Sequence, residues 1–118
     1  MALDEVFQEL RSIVVEHAPR LDLVSQTEGG LYLNTRHVMS NNKPLYFGGV
    51  EIRKKYVSYY LMPVYVYPEL LDDISPELRQ RMQGKSCFNF SASDPVMFAE
   101  LRQLTRKGVA KYESAGYM

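Results

Sequence analysis

YVSYYLMPVYVY, Tyr56 to Tyr67, is apolar or aromatic on both of its alternating faces. Val57, Tyr59 and Leu61 fall on one side, with Tyr56, Tyr60 and Met62 on the other. A half-solvated strand alternates apolar with polar residues, so this pattern predicts an interior strand covered on both sides. Pro63 has no amide hydrogen, and regular central pairing is expected to end or bulge there. The stretch speaks to architecture and names no reaction.

The flanking segments supply its neighbours. LYFGGVEIR (Leu45 to Arg53) reads as a strand, and Gly48-Gly49 within it predicts a bulge or a backbone closely approached by something bulky. Lys54-Lys55 is the turn that joins it to the aromatic strand, where lysines would also blunt an exposed edge. Upstream, LDLVSQ (Leu21 to Gln26) and LYLNT (Leu31 to Thr35) flank Thr27-Glu28-Gly29-Gly30. Paired glycines there supply the positive φ of a tight hairpin. Residues 36–43, RHVMSNNK, are polar, precede Pro44 and read as a loop carrying His37. Four strands with short links make an antiparallel meander. SCFNF (Ser86 to Phe90) alternates and adds a fifth strand beside it.

Helices close the ends. Leu3, Val6, Phe7, Leu10, Val14 and His17 recur at helical spacing ahead of Pro19. His17 falls in the last turn, where the helix dipole would favour a cationic imidazole. Pro68-Glu-Leu-Leu-Asp-Asp73 and Ser75-Pro76-Glu77 open two short helices, the second closed by Gly84. Asp94-Pro95 caps the last helix, which buries Met97, Leu101, Leu104, Gly108 and Tyr112. The predicted fold is α+β: about five antiparallel strands packed against N-terminal and C-terminal helices, with short helices before the last strand. All of it fits one domain over residues 1–118, long enough for a single core.

Fourteen basic and fourteen acidic residues cancel. A dedicated nucleic-acid binder should carry a basic excess or stripe, so that class is set aside. The N-terminus shows no signal peptide, and no apolar run reaches the length of a membrane span. The single cysteine, Cys87, has no internal disulfide partner, which fits a reducing, cytoplasmic setting.

No strong catalytic motif is present, and a non-enzymatic role is expected. A nucleophilic Cys87 needs a base or cation to lower its pKa; Lys85, two residues away on the same strand face, is the one candidate. Gly84-Lys85-Ser86 lacks the earlier glycine of a phosphate-binding loop, since Arg79 stands there, and the helix-to-strand order is inverted. Glu69, Asp72 and Asp73 read as acids at a helix start rather than as a metal site. The tyrosines say more. Six of the nine lie between Tyr46 and Tyr67, and a buried tyrosine still needs a partner for its hydroxyl. Strands favour tyrosine for packing alone; the sharper reading is a small-ligand cavity lined by Tyr46, Tyr60 and Tyr65, with Arg53 as anion partner and Lys85 and Cys87 beside it. Self-association as a homodimer, through sheet edges or an aromatic patch, is a further class.

KPLYFGGV (Lys43 to Val50), KKYVSYYLMPVY (Lys54 to Tyr65) and GKSCFNF (Gly84 to Phe90), in that order before a C-terminal helix, resemble the YdhG-like domain-of-unknown-function family. These are small bacterial intracellular proteins, some classed as frataxin-like iron chaperones. The resemblance implies an α+β fold with an antiparallel sheet and supplies no catalytic residues. Its frataxin side would place iron on the acids of the first helix, here Glu5, Glu9 and Glu16 with Asp22 beyond. Arg11 and Arg20 interrupt that acidity.

Overall fold

A computed structural model describes residues 2–118. Along the chain run α1 (Ala2–Val15), a 3-10 turn (Ala18–Arg20), β1 (Asp22–Thr27), β2 (Gly30–Val38), β3 (Pro44–Ile52) and β4 (Val57–Leu61). Then come α2 (Met62–Val66), a second 3-10 turn (Pro68–Leu71), α3 (Pro76–Arg79), β5 (Met82–Gln83), β6 (Cys87–Phe90) and α4 (Pro95–Ser114). The strands form one antiparallel sheet in the order β1-β2-β3-β4-β6-β5. The class is α+β, and the meander and the strand laid beside it are as the sequence predicts. A sixth strand, β5, lies outside β6; two residues are too short to show alternation.

β4 is interior, between β3 and β6. Its Val57, Tyr59 and Leu61 are fully buried. Each such side chain contributes about 1.5–3 kcal/mol when removed from water. They meet the apolar stripe of α1 (Val6, Phe7, Leu10, Ile13, Val14) and that of α4 (Phe98, Leu101, Leu104, Val109, Tyr112). Three contacts fix α4 on this face: the Tyr59 and Thr105 hydroxyls at 2.6 Å, the Phe90 and Phe98 rings at 5.0 Å, and the Phe47 and Tyr112 rings at 6.3 Å.

The second face departs from expectation. The covering layer predicted there is not present among the described residues. Ser58 and Tyr60 of β4 lie beside Glu51 and Gly49 of β3 and Asn89 and Cys87 of β6. Tyr60, Glu51, Cys87 and Asn89 are only half-buried. Tyrosine explains the misreading: it counts as greasy in a pattern, yet its hydroxyl lets it stand on a wet surface.

Other boundaries moved for local reasons. β4 stops at Leu61 and the chain turns helical, because Pro63 in a first turn loses no bond and brings a fitting φ. β2 continues through the polar Arg36 and His37 to pair Val38 with Pro44, taking in the first residues of the predicted loop. The β1–β2 hairpin forms, but neither Gly29 nor Gly30 has positive φ. Gly84 does (φ 77°), in the β5–β6 turn rather than at a helix end. Both strong caps hold: Asp94 accepts from Met97 N at 3.0 Å, and Ser75 Oγ accepts from Leu78 N at 3.1 Å. Glu100 of α4 in turn accepts from Ser75 N and Oγ, both at 2.6 Å.

His17 lies past the end of α1, with its side chain packed near the Phe47 ring at 6.2 Å. Burial pushes its pKa below the ordinary 6.5 despite Glu16 nearby. Desolvation therefore outweighs the dipole that favoured a cation. His37, read as a loop residue, sits in β2 against the Tyr117 ring at 4.8 Å.

Candidate functional site

The open face of the sheet is organised by a bulge and a glycine. Register shifts between Leu33 and Asn34 where β2 passes Tyr46, Phe47 and Gly48. The extra residue lets Phe47 turn into the core, fully buried against Tyr112 and His17, while Tyr46 stays on the open side with its hydroxyl over Gly49. Gly49 is paired with Tyr32 on one side and Tyr60 on the other. Strands two apart are separated by roughly 10 Å, yet the Tyr32 and Tyr60 rings approach to 6.1 Å across the bare glycine. A Cβ on Gly49 would stand 2.7 Å from Tyr32 Cδ1 and 3.0 Å from the Tyr46 hydroxyl. Glycine is what allows three tyrosines to converge.

Polar groups hold two of the three hydroxyls. The Tyr32 hydroxyl donates to Glu51 Oε1, and an Arg53 Nη donates to the Tyr60 hydroxyl. Arg53 also pairs with Glu51 at 2.6 Å. Burial and the Glu51 carboxylate raise the Tyr32 pKa; burial raises that of Tyr46. Both of these hydroxyls stay protonated near neutrality. On the β6 side, Asn89 Oδ1 accepts from Ser58 Oγ (2.7 Å) and from Cys87 Sγ (3.4 Å), and Asn89 Nδ2 donates to Gln83 Oε1 (3.0 Å). Burial pushes the Cys87 thiol up, so at neutral pH it is a weak donor rather than a nucleophile.

Of the residues singled out from sequence, Tyr46, Arg53, Tyr60 and Cys87 share this face. Tyr65 and Lys85 do not join them. They border a separate cleft beside α2, with Lys85 Nζ 5.9 Å from the Tyr65 ring centre. Tyr32 and Glu51 were missed. Alternation in LYLNT and in GVEIR places each opposite its apolar neighbours, but only the register across Gly49 shows that they meet.

The three glutamates proposed for iron are not gathered. Glu5 and Glu9 are exposed on α1. Glu16 is held by α4: its carboxylate accepts from Arg106 Nε at 2.7 Å and from Arg102 Nη1 at 2.5 Å. The Arg106 bond is the main reason its pKa falls to about 2. Among the described residues no three His, Cys, Asp or Glu side chains are placed to hold a metal ion. Nor is any described helix long and apolar enough to cross a membrane.

Comparison with protein-family models, curated proteins and solved structures gave no match to this chain.

Proposed function

We propose that this chain is a small-ligand-binding domain without catalytic chemistry of its own, and that the tyrosine-bearing face of the sheet is its binding surface. The reading rests on one observation: Tyr32, Tyr46 and Tyr60 converge over Gly49, with Glu51 at the Tyr32 hydroxyl and Arg53 at the Tyr60 hydroxyl. Hydroxyls already held by neighbours pre-order the rings, which lowers the entropy lost when a ligand settles on them. Arg53 gives the patch a cation for an anionic or electron-rich group. The site is a shallow aromatic floor rather than the enclosed cavity expected from sequence. A cytoplasmic setting fits the unpaired Cys87 thiol, and a YdhG-like domain with no agreed catalytic residues fits a binding role.

The test is a ligand screen read by thermal shift. Compounds that raise the melting temperature of the wild type should lose that effect in Tyr60→Leu and Tyr32→Leu, while Tyr65→Leu keeps it. Shifts that persist in both face variants remove the proposal.

A second reading has its own observation. β1 is an edge strand, exposed along its length, and shows Leu23 (57%), Val24 (56%) and, on the adjoining β2, Val38 (58%). Such an edge is a template for pairing with another copy. Light scattering at high concentration decides it: a dimer that Val24→Lys dissolves supports edge pairing, and a monomer throughout ends it.

A further inference from the structure

The cleft beside α2 is a second site, independent of the tyrosine face, and we infer that it takes a small organic carboxylate with an apolar body. Its volume is about 520 Å³, within the range of small-molecule pockets. Val64, Tyr65, Leu71 and Met82 give it apolar walls, and Arg79 and Lys85 are its charged groups. No acidic side chain lines it. Elsewhere Arg20, Arg36, Arg53, Arg102 and Arg106 each pair with a carboxylate. Among the described residues Arg79 and Lys85 form no ion pair.

Both cations are nevertheless positioned. The Arg79 guanidinium donates to the Leu71 carbonyl, which spends one Nη and leaves the rest of the fork free. Lys85 rests over the Tyr65 ring. A carboxylate set between them would gain charge-assisted hydrogen bonds from an arginine held in place, and the apolar remainder would lie on Leu71, Met82 and Val64. A phosphate dianion fits less well. It wants several donors converging on one point, and this lining has no Ser or Thr to add to the two cations.

The experiment titrates 4-phenylbutyrate, and its uncharged amide 4-phenylbutyramide, into ¹³C-methyl-Met and ¹⁵N-labelled protein by NMR. The acid should move the Met82 methyl and the Tyr65 and Lys85 amides saturably, leaving Tyr32 and Tyr60 in place. The amide, and the acid with Arg79→Gln or Lys85→Gln, should each bind about tenfold more weakly. That is the effect of losing about 1.4 kcal/mol of a charge-assisted contact. Both cations are exposed, and an unchanged melting temperature in each variant shows that the fold is intact. Equal binding of acid and amide, no saturable shift at Met82, or shifts confined to the tyrosine face would each overturn the assignment. Failure here leaves the tyrosine-face reading standing, because the two sites report on different resonances.

Discussion

Replacing Thr105 by valine should cost more than replacing Tyr59 by phenylalanine, and making both changes should cost less than their sum. The Tyr59 hydroxyl has no solvent exposure and meets Thr105 Oγ1 at 2.6 Å; Thr105 Oγ1 is also 2.9 Å from the Leu101 carbonyl, to which it donates. Thr105 spends its proton on Leu101, so Tyr59 must be the donor to Thr105. Tyr59→Phe deletes one hydrogen bond and leaves the threonine proton satisfied, a loss of about 1 kcal/mol. Thr105→Val removes the acceptor and strands a buried phenolic O–H, a loss of about 2–3 kcal/mol. In the double variant no polar group is stranded, so the cost should return to about 1 kcal/mol, a coupling of roughly 2 kcal/mol. For a chain of this size 1 kcal/mol moves the melting temperature by roughly 3–6 °C. Urea unfolding followed by far-UV circular dichroism measures all four corners, and the chain has no tryptophan to complicate the signal. Equal single costs, or additive ones, would show that α4 is not joined to β4 through this bond.

Gly108 faces Pro63, and a Cβ there would lie 2.8 Å from the proline Cβ. Alanine in a helix interior ordinarily gains about 1 kcal/mol over glycine, whereas overpacking against a rigid ring costs about 1–3 kcal/mol. Gly108→Ala should therefore destabilise in thermal melts; a stabilised variant would mean that α2 does not press on α4. Acid should also weaken the fold in two steps. Because the folded pKa of His17 is depressed, the folded state favours neutral imidazole, so stability falls as pH drops below 6.5. The folded pKa of Glu16 is depressed from 4.5 to about 2, so its contribution is complete above 4.5 and is lost as pH falls toward 2. The pair is partly solvated, and the Glu16 step should be about 1 kcal/mol. Glu16→Gln should erase the lower step and His17→Gln the upper, by urea unfolding across pH. Iron titration should give no saturable signal in the wild type, since Glu16 would have to leave two arginines; saturation that Glu5→Gln and Glu9→Gln abolish would reverse this.

Much of the fold was legible because its cues are local. The caps at Ser75 and Asp94, the stripes of α1 and α4 and the four meander strands are each written within a few consecutive residues. What was not legible depends on residues distant in sequence. Tyr60 in isolation looks like core; its half-buried state follows from Tyr32 and Arg53 standing beside it rather than a helix above it. The Gly48-Gly49 pair signalled a bulge and a close approach, and both are there. Which residues approach depends on a register that composition does not carry. Tyr65, expected with Tyr46 and Tyr60 as lining of one cavity, is carried to another site by the helical turn after Leu61.

The binding proposal for the open face is tested most directly by ¹³C-tyrosine NMR during titration with the compounds that raise the melting temperature. Ring signals of Tyr32, Tyr46 and Tyr60 should shift together and saturate at one affinity, while Tyr59 and Tyr112, sealed beneath the sheet, stay still. If every stabilising compound leaves those three rings unmoved, the open face is a hydrogen-bonded cover for the sheet and not a binding surface.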